Sequence, residues 1–386
     1  MSLKTIPRLS SGNRVSIYYF VQAMSVGVVN AFAGIWFVSK GIGPEEIGFI
    51  TAAPLLAILF VGILVGRVAD QAPDWRRVIV VGALASGLVP IALIFANGFW
   101  SILIVWTLAV TTQMAILPVV DAASIRLARR LEFDFSQLYA WKTVGYMATI
   151  FIAGFIIAEF GVSAFLPLFI MLSLVRAVVA FRLPKFRGAP QAPMVSLEAH
   201  NLIDLMKPWF LFPLLGWGLV HSTHFVLNGF LGLLWNIQGI SESTIGLLIV
   251  FGSIAEIAMF LGFQRYLSRF PTRALVLASC VVATLRWAAL AFSPSVPILF
   301  GLQLLQAATY ALGFLACTNF IADRANEDIA AQAQSFFGIL QSGVAVFALI
   351  SFGRLAANFG AQAFLASAGL AALGALLVVI SMIIKK

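Results

Sequence analysis

Four ionisable residues stand where an apolar chain accommodates them least: Asp121, Lys142, Glu256 and Arg286, each inside a long hydrophobic run. A charge near the centre of a membrane helix costs roughly 2.5 to 3.5 kcal/mol, so four facing lipid would cost about 10 kcal/mol. They are expected to pair and face a cavity. Asp121 lies about six residues before the end of its run and Lys142 about six after the start of the next, so both sit roughly 9 Å deep. Glu256 and Arg286 lie about 11 and 14 residues in, a mismatch of roughly 5 Å that long side chains span. The expectation is one opposite-charge pair per half, Asp121 with Lys142 and Glu256 with Arg286. A carboxylate whose cationic partner can be drawn away can exchange a proton. The alternative is a structural ion pair pinning neighbouring helices.

His221, His224 and Asn228 follow at spacings of three and four, which puts them on one helix face, and Gln303 and Gln306 are one turn apart. Tyr146 is four residues from Lys142, Phe225 four from His221, and Trp36 six beyond Asn30. Polar stripes on two facing bundles are what a solute cavity needs, with rings on which a substrate can stack; interhelical hydrogen bonding and core packing are the competing readings. His200, His221 and His224 are the three histidines, and Cys280 and Cys317 stand singly inside runs. No loop gathers a nucleophile, base or metal set, so the expectation is a non-enzyme without metal or cofactor.

The elements that carry these residues are twelve apolar runs, near 15–39, 44–66, 78–96, 99–125, 136–158, 161–181, 208–236, 244–264, 274–292, 296–321, 329–353 and 361–384. Each is long enough to cross a hydrocarbon core of about 30 Å as a helix. Barrel strands would alternate polar and apolar residues, and these runs do not. The 24 Lys and Arg fall almost wholly in every second gap; the other gaps hold Lys40 and Arg354. That parity puts both termini in the cytoplasm of a multi-pass cell (inner) membrane protein. It also places the net charge of +9 at headgroup level, so no nucleic acid partner is implied. The first run is too long for a signal peptide, and the N-terminus is expected to be retained.

A polar, proline-containing stretch at 183–207 divides the chain into a bundle at 1–182, a cytoplasmic linker and a bundle at 208–386. Gly41, Ile42, Ile47 and Gly48 recur 198 positions on as Gly239, Ile240, Ile245 and Gly246, and at that shift Gly145 meets Gly343 and Arg67 meets Arg265. An all-α membrane protein of twelve helices in two related halves resembles the major facilitator transporters, whose substrate site lies between the halves near the midplane.

Two sets of residues sharpen the resemblance. Gly66-Arg67-Val68-Ala69-Asp70, followed by Asp74-Trp75-Arg76-Arg77, resembles the loop between the second and third helices of major facilitators. It implies that Arg67, Asp70 and Arg76 take part in the cytoplasmic gate, although the usual turn glycine is missing. Leu117-Pro118-Val119-Val120-Asp121-Ala122, Phe133-Asp134-Phe135, Ile254-Ala255-Glu256-Ile257, Leu285-Arg286-Trp287 and His224 ahead of Asn228-Gly229-Phe230 resemble the phenylpropionate permease branch, related to nucleoside:proton symporters and lactose permeases. Glu256 and Arg286 then match the carboxylate and arginine that lactose permeases use for substrate and proton coupling, and Asp121 their sugar-binding carboxylate. Tyr139 stands where those permeases carry an arginine, and Gln306 and Thr309 replace a histidine and an acid. Proton coupling would therefore rest on Glu256 or Asp121.

The expected function is proton-coupled symport of a small organic solute, an aromatic or other monocarboxylic acid before a sugar. Lys142 and Arg286 are the expected anion anchors. Asn30, Tyr146, His221, His224, Asn228 and Gln306 join Asp121 as further binding residues. Partners are the solute, protons and the bilayer; the proton gradient replaces any cofactor, and the protein is expected to be a monomer. Export of amphipathic compounds and sugar or nucleoside symport remain open within transport. A lipid-acting enzyme and a transporter-derived receptor are the rivals outside it.

Overall fold

The computed structural model describes residues 10–131, 135–186, 207–324 and 327–384. Its helices are α1 (Ser11–Ser39), α2 (Pro44–Gln71), α3 (Trp75–Leu88), α4 (Phe99–Arg130), α5 (Phe135–Phe160), α6 (Phe165–Ala180), α7 (Pro208–Ile237), α8 (Glu242–Tyr266), α9 (Thr272–Leu290), α10 (Val296–Leu304), α11 (Gly313–Arg324), α12 (Glu327–Phe359) and α13 (Phe364–Ile383). Eleven stretches among the described residues are long and apolar enough to cross a membrane, and the last, Phe337–Ile383, holds both α12 and α13. The spans are thus twelve. The tenth is compound: α10 and α11 are joined through a π-helical turn, Ala307–Leu312, which no pattern in the sequence announces.

The repeated Gly-Ile loops end one helix and start the next. Gly41 and Gly239 hold φ of 78° and 81°, the left-handed C′ position that a residue with a Cβ disfavours. Glu46 then accepts the Gly43 N–H at 2.9 Å to open α2, and the Ser241 hydroxyl accepts the Thr244 N–H to open α8.

The two bundles meet through α1 with α7, α2 with α12 and α5 with α8. Their closest approaches obey a pseudo-twofold axis. A Cβ on Gly48 would lie 2.7 Å from the Leu349 carbonyl, and one on Gly246 2.9 Å from the Ile150 carbonyl. One on Gly353 would lie 2.6 Å from the Pro44 carbonyl, and one on Gly154 2.7 Å from that of Glu242. Gly34 against Gly229 and Gly232 against Ala31 form the third such pair. All lie toward the face that carries loops 40–43 and 239–241. Arg354 and Glu45 add an ion pair across it at 3.8 Å. Farther from that face, a Cβ on Gly66 or Gly338, toward the basic end, or on Gly343, midway along α12, would meet nothing within 4 Å. The bundles are closed against each other at the end that carries loops 40–43 and 239–241.

This geometry corrects one expected equivalence. Gly145 packs against the Phe20 backbone while Gly343 borders open space, so the two are not counterparts. The repeat offset is 198 at Gly41 and Gly239 but 199 at Gly161 and Gly360, both of which again have positive φ. The expected linker also starts later than 183. Leu183 and Phe186 are buried, the Phe186 N–H donates to Asp74 Oδ1 at 2.9 Å and its carbonyl accepts from Trp75, so 183–186 belong with the first bundle. Residues 187–206 lie outside the described residues.

Candidate functional site

Two cavities of about 310 Å³ each lie side by side between the bundles and share Asn30, Phe225 and Asn228 in their walls. One is polar: Tyr146, His221, His224, Ser253, Glu256, Gln303, Gln306 and Tyr310 line it. The other is mostly apolar, lined by Val26, Val29, Ala33, Leu55, Trp106 and Met114, with Gln22, Gln113 and Lys142 among them. Lys142 is the one lysine or arginine in either wall. A larger apolar groove of about 1110 Å³ runs along the outward side of α6, past exposed Met171 and Val178. It carries Lys40 as its single charge, so the polar chemistry is not there.

The helices set these side chains one by one. The spacing of His221, His224 and Asn228 on α7 does bring all three to the polar cavity. His224 is 3 % exposed and fully engaged, Nδ1 with the Val220 carbonyl at 3.0 Å and Nε2 with Thr309 Oγ1 at 3.2 Å. His221 stacks on Trp217, with ring centroids 4.8 Å apart, and Tyr310 packs between the two imidazoles. Asn30 Nδ2 donates to the Tyr146 hydroxyl at 3.4 Å, joining α1 to α5 at the cavity edge.

One expected ion pair is corrected. Asp121 Oδ1 accepts the Tyr19 hydroxyl at 2.7 Å and lies within electrostatic reach of Lys142, which also contributes to the wall of the apolar cavity. Glu256 and Arg286 are joined through an amide: Gln306 Nε2 donates to Glu256 Oε1 at 2.6 Å and Gln306 Oε1 accepts from Arg286 Nη1. Arg286 is 0 % exposed, with Gln303 Oε1 at 2.6 Å and Thr309 Oγ1 at 2.9 Å as further acceptors. It stands behind the glutamine wall, so it is no direct anion anchor. The π turn follows Gln306 and carries Thr309 and Tyr310, and the Thr309 carbonyl accepts from Ser279.

Three further expectations change. Trp36 packs in the first bundle against Trp106 and Phe165 and borders the groove along α6 rather than either cavity between the bundles. Arg76 donates to the Phe181 carbonyl at 2.6 Å, within its own bundle and not across the gate. Arg67 is exposed on the basic side, and the side chains of Asp70 and Tyr139 lie outside the described residues.

The sequence reading passed over Arg176 on α6. It is 1 % exposed and donates to the Ser86 carbonyl at 2.9 Å and to Ser25 Oγ at 3.4 Å; Ser25 also accepts from Gln113, a cavity-wall residue. Each bundle thus sets a buried arginine behind a glutamine of the wall. Arg176 was legible as a charge inside an apolar run, but its place near the run's end reads as a headgroup contact.

Comparison with known proteins came to the same architecture. A family model described as the MFS_1 like family matches residues 13–373. The chain is 23 % identical over 333 residues to the "Probable 3-phenylpropionic acid transporter" of Escherichia coli (strain K12), covering 83 % of this chain and 85 % of that one. It is 20 % identical over 330 residues to the maltose permease of Geobacillus stearothermophilus, covering 85 % and 83 %. The fold superposes on the nucleoside transporter NupG with a TM-score of 0.86 at 16 % identity, covering 98 % of this chain and 100 % of that one. A bacterial homologue of the lysosomal transporter Spinster follows at 0.76 and 13 %, covering 96 % of each.

Proposed function

We propose that this chain, which belongs to the MFS_1 like family of membrane transporters, carries a small organic anion across the cell membrane together with a proton. The observation that carries the reading is the pair of joined cavities. The apolar one offers about 310 Å³, the lower end of the usual range for small-molecule sites, and has Lys142 among the residues of its otherwise mostly apolar wall. An aromatic or aliphatic ring would fill it with the carboxylate on Lys142. The polar one holds Glu256, the carboxylate positioned to take a proton beside the solute. The name of the Escherichia coli relative, a 3-phenylpropionic acid transporter, supports an aromatic acid.

With the basic face in the cytoplasm, the closed glycine seam is the outer gate and the structure is inward-facing. Rocking of the bundles about the cavities, with solute and proton binding the two states unequally, would complete the cycle. The proton gradient is the energy source, a single chain is the transporting unit, and the inner membrane its location. A second reading, symport of a sugar or nucleoside, is favoured by the amides and hydroxyls of Asn30, Asn228, Gln303, Gln306, Tyr146 and Tyr310 around one cavity.

Uptake of labelled 3-phenylpropionate into proteoliposomes, with and without an inward proton gradient, tests the proposal. Gradient-driven accumulation that Glu256→Gln converts to simple exchange is the expected result. Saturable uptake of maltose or a nucleoside, with none of the acid, would overturn it.

A further inference from the structure

The second bundle keeps its buried cation and its carboxylate apart with one neutral side chain. A guanidinium has donors and no acceptor, so Arg286 can face the oxygen of the Gln306 amide and not its NH₂. The NH₂ is thereby turned to Glu256 Oε1, 2.6 Å away. Arg286 is itself fixed by Gln303 and Thr309, and Gln303 Nε2 is tied to the Leu248 carbonyl at 2.9 Å. Turning the Gln306 amide over would set donor against donor at Arg286.

We propose that Arg286 and Gln306 are positioning residues that reserve Oε2 of Glu256 as the oxygen that carries the coupled proton. This rests on the reading of Glu256 as the proton site and deepens it. Oε1 already accepts an N–H, and the carbonyl oxygen of a protonated carboxyl accepts more strongly than its hydroxyl oxygen, so this bond is kept best with the hydrogen on Oε2. On protonation an O–H bond forms at Oε2 with a proton from cavity water. On release that bond breaks, the electron pair stays on Oε2 and the proton returns to water. The solute and the proton then meet at one oxygen on the cavity side of the carboxylate. The titratable groups around the polar cavity are Tyr146 from α5, His221 and His224 from α7 and Tyr310 from the π turn, with Arg286 from α9 behind them. Of these, Arg286 reaches the carboxylate through an oriented amide, and its influence passes through Gln306.

Infrared difference spectra of the full-length protein in lipid, taken over a pH series, test this without substrate. The carboxyl band missing in Glu256→Gln identifies Glu256. Gln306→Met is expected to move the midpoint of that band by about one pH unit or more. Arg286→Met is expected to move it too, and the double variant no further than Gln306→Met alone. Additive shifts would overturn the relay, because Arg286 would then act through space; an unmoved midpoint in Gln306→Met would also overturn it. If Arg286→Met does not fold, Arg286→Lys enters the same cycle. Absent uptake of the acid with this non-additivity intact would sink the transport reading and leave the relay standing.

Discussion

Adding one methyl group at Gly353 should open the closed face. A Cβ there would sit 2.6 Å from the Pro44 carbonyl oxygen and 3.0 Å from Gly48 Cα, both in the other bundle. Carbon and oxygen settle at about 3.3 to 3.6 Å, so the bundles must part by about 0.7 Å at this point. The obstructing atoms are backbone, so no rotamer change relieves the contact. Overpacking of this kind costs about 1 to 3 kcal/mol, and here it penalises only the state in which the seam is shut. The ratio of shut to open should therefore fall by about 5- to 150-fold in Gly353→Ala. Spin labels at Asn97→Cys and Ser295→Cys, exposed positions on that face in opposite bundles, would report the change as a longer inter-label distance. The native cysteines, Cys280 and Cys317, are buried and should not compete for label. Gly343→Ala is the control, because its Cβ meets nothing within 4 Å. An unchanged distance distribution in folded Gly353→Ala, or the same lengthening in Gly343→Ala, would refute the seam as the element that holds the face closed.

Lys142→Met should raise KM for the acid by about 10- to 150-fold, the loss of a charge-assisted bond of about 1.5 to 3 kcal/mol, as measured by concentration-dependent uptake. An unchanged KM would remove Lys142 from the site. Arg354→Ala should shift the same spin-label distances far less than Gly353→Ala, since the Arg354 and Glu45 side chains are 76 % and 51 % exposed and such pairs contribute under about 1 kcal/mol. Arg176→Met should leave thermal stability equal or higher, because apolar replacement of a buried charge is often neutral or better. A fall in Tm beyond about 4 °C, on the order of 1 kcal/mol or more in a large chain, would show that its bonds to Ser86 and Ser25 outweigh desolvation.

Much of the fold was legible because membrane physics writes it locally. Runs of apolar residues, basic residues in alternate gaps and the paired loops after Gly41 and Gly239 each report within a few residues of themselves. The site is written across distance. Tyr19 and Asp121 are 102 positions apart, Glu256 and Gln306 50, and Arg286 and Gln306 20. Depth counting therefore matched Glu256 to Arg286 by opposite sign and had no means of placing the neutral Gln306 amide between them. Arg176 was missed for a related reason, since depth along a helix does not tell lipid-facing from inward-facing.

The π turn at Ala307–Leu312 bears on how this site tolerates insertion and deletion of codons. Such a turn houses one residue more than an α turn while the helix continues on either side. Losing a codon within an α-helical span rotates everything beyond it by about 100°. Losing one from Ala307–Leu312 would let the turn relax to α with α10 and α11 still presenting their present faces to the bundle. The change would fall on Thr309 and Tyr310, beside the histidines and next to Gln306. Relatives that differ by one residue at this point could share every helix contact and still differ in what they carry.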